Sequence, residues 1–163
     1  MRASIEQLVD AKLRVLKHLP EDGDLSLTVL KGHLLVEELL SVLVQSAVKY
    51  PRAIEEANLG FYQLASMAKA LVYEEGDLGS IWDSIFALNQ LRNSLAHNLE
   101  PPDLEKRLRR FFGGDSGGPP EADKFVAAEA QRPMRDMIAM ICGVLMGYMS
   151  RPPVGAPGKG AGS

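Results

Sequence analysis

The stretch Leu88-Asn89-Gln90-Leu91-Arg92-Asn93-Ser94-Leu95-Ala96-His97-Asn98 decides how this chain is read. Its leucines recur at steps of three and four residues, the spacing of one helix face. At about 100° per residue, Ile81, Ile85, Leu88, Leu91, Leu95 and Leu99 share one broad arc, and Arg92 falls inside it. A charge is costly to bury without a partner, so Arg92 is expected to be partly buried and to have a specific reason for its place. Trp82, Phe86, Asn89, Asn93 and His97 form an adjoining face, aromatic at one end and polar at the other. Only Asp83, Gln90, Ser94 and Asn98 are left as a plain solvent side. The helix is therefore expected to lie between its own core and a partner, and a twofold homodimer with this helix near the axis is the economical solution.

The same periodicity runs outward in both directions, with no convincing alternating strand and no internal repeat. The fold class is all-α, a four-to-five-helix up-down bundle. The pattern predicts a first helix over about residues 3–19, with Ile5, Leu8, Leu13 and Leu16 apolar, stopping near Pro20 and Glu21-Asp-Gly-Asp24. A second runs over about residues 25–48, with Leu27, Leu30, Leu34, Leu40, Leu43 and Ala47 as its apolar stripe. Tyr50-Pro51 breaks it, and a third covers about residues 58–73. Gly79-Ser80 opens the fourth, which holds the motif and ends before Pro101-Pro102. A short basic helix over about residues 103–112 stops at the loop Gly113-Gly-Asp-Ser-Gly-Gly-Pro-Pro120. The last helix spans about residues 122–149 and can kink or restart at Pro133. Residues 1–150 thus form one domain, and residues 151–163, rich in proline and glycine, are expected to be a disordered tail.

Composition narrows the setting. At 163 residues and 46% hydrophobic, the chain can bury the core of one ordinary domain. A net charge of -3 with interspersed signs gives no strong attraction to nucleic acid or anionic lipid, so an RNA role has to rest on a local patch. The single Cys142 rules out an intramolecular disulfide and lies in the apolar run Met137–Met146, which predicts a buried thiol and suits a reducing compartment. That run is too short for a confident bilayer span, and no signal-peptide pattern opens the sequence. The expectation is a soluble, cytoplasmic protein with no membrane partner. Three histidines and one cysteine, none at ligand spacing, predict no structural zinc, and no phosphate loop, nucleophile elbow or paired-carboxylate signature implies a cofactor.

Arg92-Asn93-Ser-Leu-Ala-His97 resembles the Arg-polar-x-x-x-His motif of the HEPN superfamily, α-helical proteins that include many prokaryotic ribonucleases and toxins. Its setting agrees, since the family carries the motif late in a long helix of a four-helix bundle. The frame Lys31-Gly-His-Leu-Leu-Val-Glu-Glu-Leu-Leu40 followed by Leu59-Gly-Phe-Tyr-Gln-Leu64 is also similar to uncharacterised bacterial proteins of this type. The resemblance covers roughly residues 25–110. It implies metal-independent endoribonuclease activity, in which the 2′-hydroxyl attacks the neighbouring phosphorus and leaves a cyclic phosphate, and a toxin-like or defence role with a cognate antitoxin or regulatory protein as partner.

The residue types suit that chemistry. His97 can move a proton to or from an attacking or leaving oxygen, and the Arg92 guanidinium can offer paired donors to a phosphate. Asn93 can orient His97 or hold a phosphate oxygen. Arg92 and His97 diverge by roughly 140° on an ideal helix, so a composite site across a dimer cleft would bring both to one phosphate. Lys106, Arg107, Arg109 and Arg110, next to Phe111 and Phe112, are the basic cluster that can lead RNA there, unless they form only a solvated helix face.

A structural reading stands beside each of these. Glu37 or Glu38 can neutralise Arg92 through a bidentate bridge, and His97 can serve the free carbonyls of a helix end. His33, four residues before Glu37, is either a satisfied core histidine or points with that carboxylate into a cleft. His18 reads as a surface residue. Met134, Met137, Met140, Met146 and Met149 read as core or partner-facing rather than as a cofactor pocket. The alternative to the enzyme is a non-catalytic helical interaction module, a regulator or adaptor that uses the motif for dimer packing or nucleotide binding.

Overall fold

The computed structural model describes residues 13–21, 24–72, 79–98, 101–113 and 129–150. Among these residues the secondary structure is entirely helical, without a strand. Helix α1 is described over residues 13–18; α2 spans Leu25–Ala47, α3 Pro51–Glu56, α4 Phe61–Leu71, α5 Gly79–His97, α6 Leu104–Phe111 and α7 Gln131–Met149. They form a helical bundle in which α2 packs against α7, α4, α5 and α3, and α5 packs against α6, α2 and α4. The last helix opens at Gln131, after Ala130, rather than running unbroken from residue 122; the start of the first expected helix, residues 114–128 and the tail 151–163 lie outside the described residues.

Local chemistry sets the helix ends. Asp24 caps α2, its Oδ1 accepting from the Leu27 amide at 2.9 Å. Pro51 opens the short helix α3 rather than only ending its predecessor, because a proline at the first helical position forgoes an amide that has no helical partner anyway. The sequence pattern missed this helix, which has no buried residue. Asn58 then takes a positive φ of 46°, a conformation its short polar side chain tolerates, and turns the chain into α4. Gln63 Oε1 accepts from the Gly60 amide at 2.9 Å to fix the start of α4. Asn98 ends α5, its amide and its Nδ2 both donating to the Ser94 carbonyl at 3.1 and 3.2 Å. Gly113, at φ 83°, closes α6.

The core differs from the sequence expectation in two places. On α2 the buried residues are Thr28, Val29, Gly32, His33, Val36, Leu40, Leu43 and Val44, whereas Leu27, Leu30, Leu34 and Ala47 are exposed. The expected single stripe is two stripes, since Leu27 and Leu34 lie roughly 120–180° around the helix from Leu40 and Leu43, and Leu30 roughly 80–140°. Gly32 explains how the inner face works at that end. A Cβ there would collide with the Ile138 side chain, so the missing side chain is what lets α7 approach α2 so closely.

On α5, Ile81, Ile85, Leu88 and Leu91 are buried as the arc predicts, but Trp82 is fully buried as well, its ring stacked near Tyr148 of α7 at 6.2 Å. Phe86 is half-buried and meets the Tyr62 ring at 5.3 Å. The aromatic end of the supposed partner-facing surface therefore belongs to the chain's own bundle, which removes the apolar argument for placing α5 at a dimer axis. Leu13 is exposed, and Val15 and Leu19 are the buried residues among the described part of the α1 region. Met134 is buried, Met137, Met146 and Met149 pack partly buried against the core, and Met140 is exposed. Cys142 is buried and free, and burial pushes its thiol up to about 12. No helix among the described residues is long and apolar enough to cross a membrane.

Candidate functional site

Helix α5 delivers the motif residues to the bundle's edge. Leu88 and Leu91 are anchored in the core, Arg92 is half-buried, and Asn93, His97 and Asn98 are exposed. Arg92 Nη1 donates to Asn93 Oδ1 at 3.1 Å, so these two side chains are held together. The side chain of His97, the last residue of α5, has no hydrogen bond or ion pair among the described residues. The structure thus groups Arg92 with Asn93 and leaves His97 unengaged at the helix end.

The expected bridge from Arg92 to Glu37 or Glu38 is not formed. Glu37 faces His33 instead, with Oε2 at 3.9 Å from Nδ1, and Glu38 is exposed beside Lys31, Leu34, Leu35 and His18 around a shallow surface depression. The reason is geometric: the inner face of α2 presents His33 towards α5, and Glu37 follows one turn later on the same side of the helix. Arg92 Nε is buried without a hydrogen-bond partner among the described residues.

Behind the motif lies a polar contact that spans the bundle. His33 Nε2 is 3.1 Å from Asn89 Oδ1, which sets the ring as the tautomer that donates from Nε2. The imidazole also stacks on Phe61 of α4 at 4.2 Å, so α2, α4 and α5 meet at this residue. His33 is buried, and its pKa is lowered mainly by that burial, with the nearby Arg92 charge acting in the same direction; the Asn89 bond and the Glu37 charge oppose. It is neutral at pH 7, with Nδ1 buried and unpartnered among the described residues. His33 is thus a core histidine bonded on one nitrogen. Asn89 turns inward to hold it rather than facing a partner.

Helix α6 folds back along the end of α5. Leu108 and Phe111 are fully buried, and Arg110 Nη1 reaches Gln90 Oε1 at 3.4 Å. Arg107 is taken up locally by Asp103 through bonds of 2.7 and 2.9 Å, which lower the Asp103 carboxyl and raise the guanidinium. Lys106 and Arg109 are exposed. Arg107 and Arg110 therefore help to hold α6 in shape and in place. No group of three or more His, Cys, Asp or Glu side chains among the described residues is arranged to hold a metal ion. Compared with known proteins, the chain matches no family model, no curated protein and no solved structure.

Proposed function

We propose that the chain is a HEPN-like endoribonuclease acting through Arg92, Asn93 and His97. The observation that supports this reading is the state of Arg92: its guanidinium has no carboxylate partner among the described residues and is turned to Asn93, at the end of α5 where His97 stands unengaged. A guanidinium kept for structure would be expected to meet a carboxylate. One kept for a phosphate retains its charge and its paired donors.

In this reading the RNA supplies its own nucleophile. The 2′-oxygen attacks the adjacent phosphorus, the bond to the 5′-oxygen breaks, and a 2′,3′-cyclic phosphate is left. His97 takes the 2′-hydroxyl proton or returns one to the departing 5′-oxygen, and Arg92 donates to the non-bridging oxygens as their charge concentrates. Asn93 orients Arg92 through the bond it already accepts. Lys106, exposed on α6, draws the RNA backbone along that helix. The active form is a homodimer whose cleft is lined by the Asn93–His97 ends of two chains, and a cognate antitoxin or regulatory protein silences it by covering them.

Incubating the pure protein with mixed RNA, with and without a chelator, and analysing the ends tests this directly. Fragments ending in cyclic phosphate in both arms are expected. A second reading, a non-catalytic interaction module, is favoured by one observation, the outward leucines of α2; absence of cleavage at every salt and pH tried would favour it.

A further inference from the structure

His33 is a buried titratable group that the proposed reaction leaves idle. Its Nε2–H is committed to Asn89, so Nδ1 carries a lone pair, and the group facing that lone pair is a second acceptor, Glu37 Oε2, at 3.9 Å. Two acceptors cannot bond each other, and such a pair calls for a donor between them. On α5, Arg92 follows Asn89 by three residues, which puts both on one side of the helix, and its charge is felt at His33. Its Nε–H is buried and, like His33 Nδ1, has no hydrogen-bond partner among the described residues.

We infer that His33 positions Arg92 through one bound water, which accepts from Arg92 Nε–H and donates to His33 Nδ1 and Glu37 Oε2. A water about 2.8 Å from each acceptor sees the two at roughly 90°, near its own H–O–H angle, and its lone pairs are left for the Nε–H. All three groups are then satisfied, as buried polar groups are. Asn93 already holds Nη1, so the guanidinium plane is fixed at two nitrogens, while the second Nη1 proton and both on Nη2 stay available to a phosphate. The water contact stands whether or not the chain cleaves RNA; its effect on catalysis rests on the reading of Arg92 given above. The contact requires neutral His33. Around the ring stand Glu37 on α2, Arg92 and the uncharged Asn89 on α5, and the uncharged Phe61 on α4. On protonation Nδ1 becomes a donor, turns to Glu37 directly and sets a second positive charge beside Arg92, which releases the guanidinium as the pH falls below 6.5.

The test takes two readouts on the full chain: the Arg92 Nε–H signal in ¹⁵N NMR, and kcat for RNA cleavage across pH. In the parent at pH 7 that proton exchanges more slowly than the one on Arg52, whose side chain is 89% exposed, and it shows a cross-peak to a bound water. His33→Phe keeps a ring against Phe61 but offers no acceptor; it loses the slow exchange and lowers kcat by about ten- to a hundredfold, with KM little changed. His33→Gln, with a donor for Asn89 and an acceptor for the water, restores both, and its kcat lacks the part of the acid fall that His33 sets. An Arg92 signal in the parent that exchanges as fast as that of Arg52, or slow exchange and kcat both unchanged in folded His33→Phe, would overturn the proposal. Slow exchange lost in His33→Phe while kcat stays the same would overturn its part in the reaction. A parent that cleaves no RNA yet shows the slow signal, lost in His33→Phe, would overturn the nuclease reading and uphold the water contact.

Discussion

Between Ile81 and Leu91, helix α5 buries seven side chains, Trp82 among them, whereas from Asn93 onwards it exposes Asn93, Ala96, His97 and Asn98. The two halves belong to one continuous helix, so the difference is not one of local backbone propensity. It arises from what surrounds them: Trp82, Phe86 and Asn89 of the first half meet α7, α4 and α2, whereas Leu95 is the large apolar residue of the second half that packs, partly buried, against the core. Asn89 and Arg92 sit at the boundary, one bonded inward to His33 and the other sideways to Asn93. A rigid first half can hold exposed polar groups in place on the second, which is the arrangement a reactive site needs.

The sharpest way to break this contrast is at Trp82. Trp82→Ala removes the largest fully buried side chain and is expected to cost about 3–5 kcal/mol, read as a lower urea midpoint at unchanged slope. A loss below about 1 kcal/mol would mean that the first half of α5 is not the scaffold described.

At the boundary, Asn89→Ala leaves the His33 Nε2–H buried without its acceptor and is expected to cost about 1–3 kcal/mol in the same assay. Asn89→Asp keeps an acceptor there and should recover part of the loss.

A pH titration sharpens the comparison further. The folded-state pKa of His33 lies below its ordinary value of 6.5, so below that pH the unfolded chain binds the proton more readily. Stability is therefore complete above pH 6.5 and falls as the pH drops towards the lowered folded value, by at most about 1.4 kcal/mol per pH unit from this group. Replacing His33 by Gln should flatten that contribution. Arg92→Ala removes a positive charge that opposes protonation of His33, so it should make the acid loss smaller. Melting temperatures between pH 7 and 5 read both effects.

Much of this architecture was legible in the sequence, for reasons that particular residues make clear. Helix spans followed from apolar periodicity bounded by Asp24, Pro51, Gly79 and Pro101, whose chemistry acts locally. The half-burial of Arg92 followed from its place in the leucine arc. The inner face of α2 did not, because leucines lie on both sides of that helix and the buried side at its start is made of Val29, Gly32, His33 and Val36. Trp82 lies at the edge of the apolar arc of α5, and only the position of α7 turns that edge inward. The Arg92–Asn93 bond is between neighbours and could be anticipated, but His33 and Asn89 are 56 residues apart and only the packing of α2 on α5 joins them. Gly32-His33, side by side on a leucine-rich helix, carries the signal: a residue too small for a surface helix without cause, followed by a polar one that needs an interior partner.

The smallest expected change in stability is also the one with the greatest expected change in activity. His97→Ala alters an exposed, unengaged side chain at the end of α5, so its melting temperature should match the parent, within about 0.5 kcal/mol of stability. The deciding measurement is RNA cleavage by parent and His97→Ala at equal concentration, followed by counting 2′,3′-cyclic phosphate ends. The account predicts such ends from the parent and a fall of about 10²–10⁴-fold in their rate of appearance from the variant. Equal cleavage by both proteins, or no cyclic phosphate from either, would contradict it.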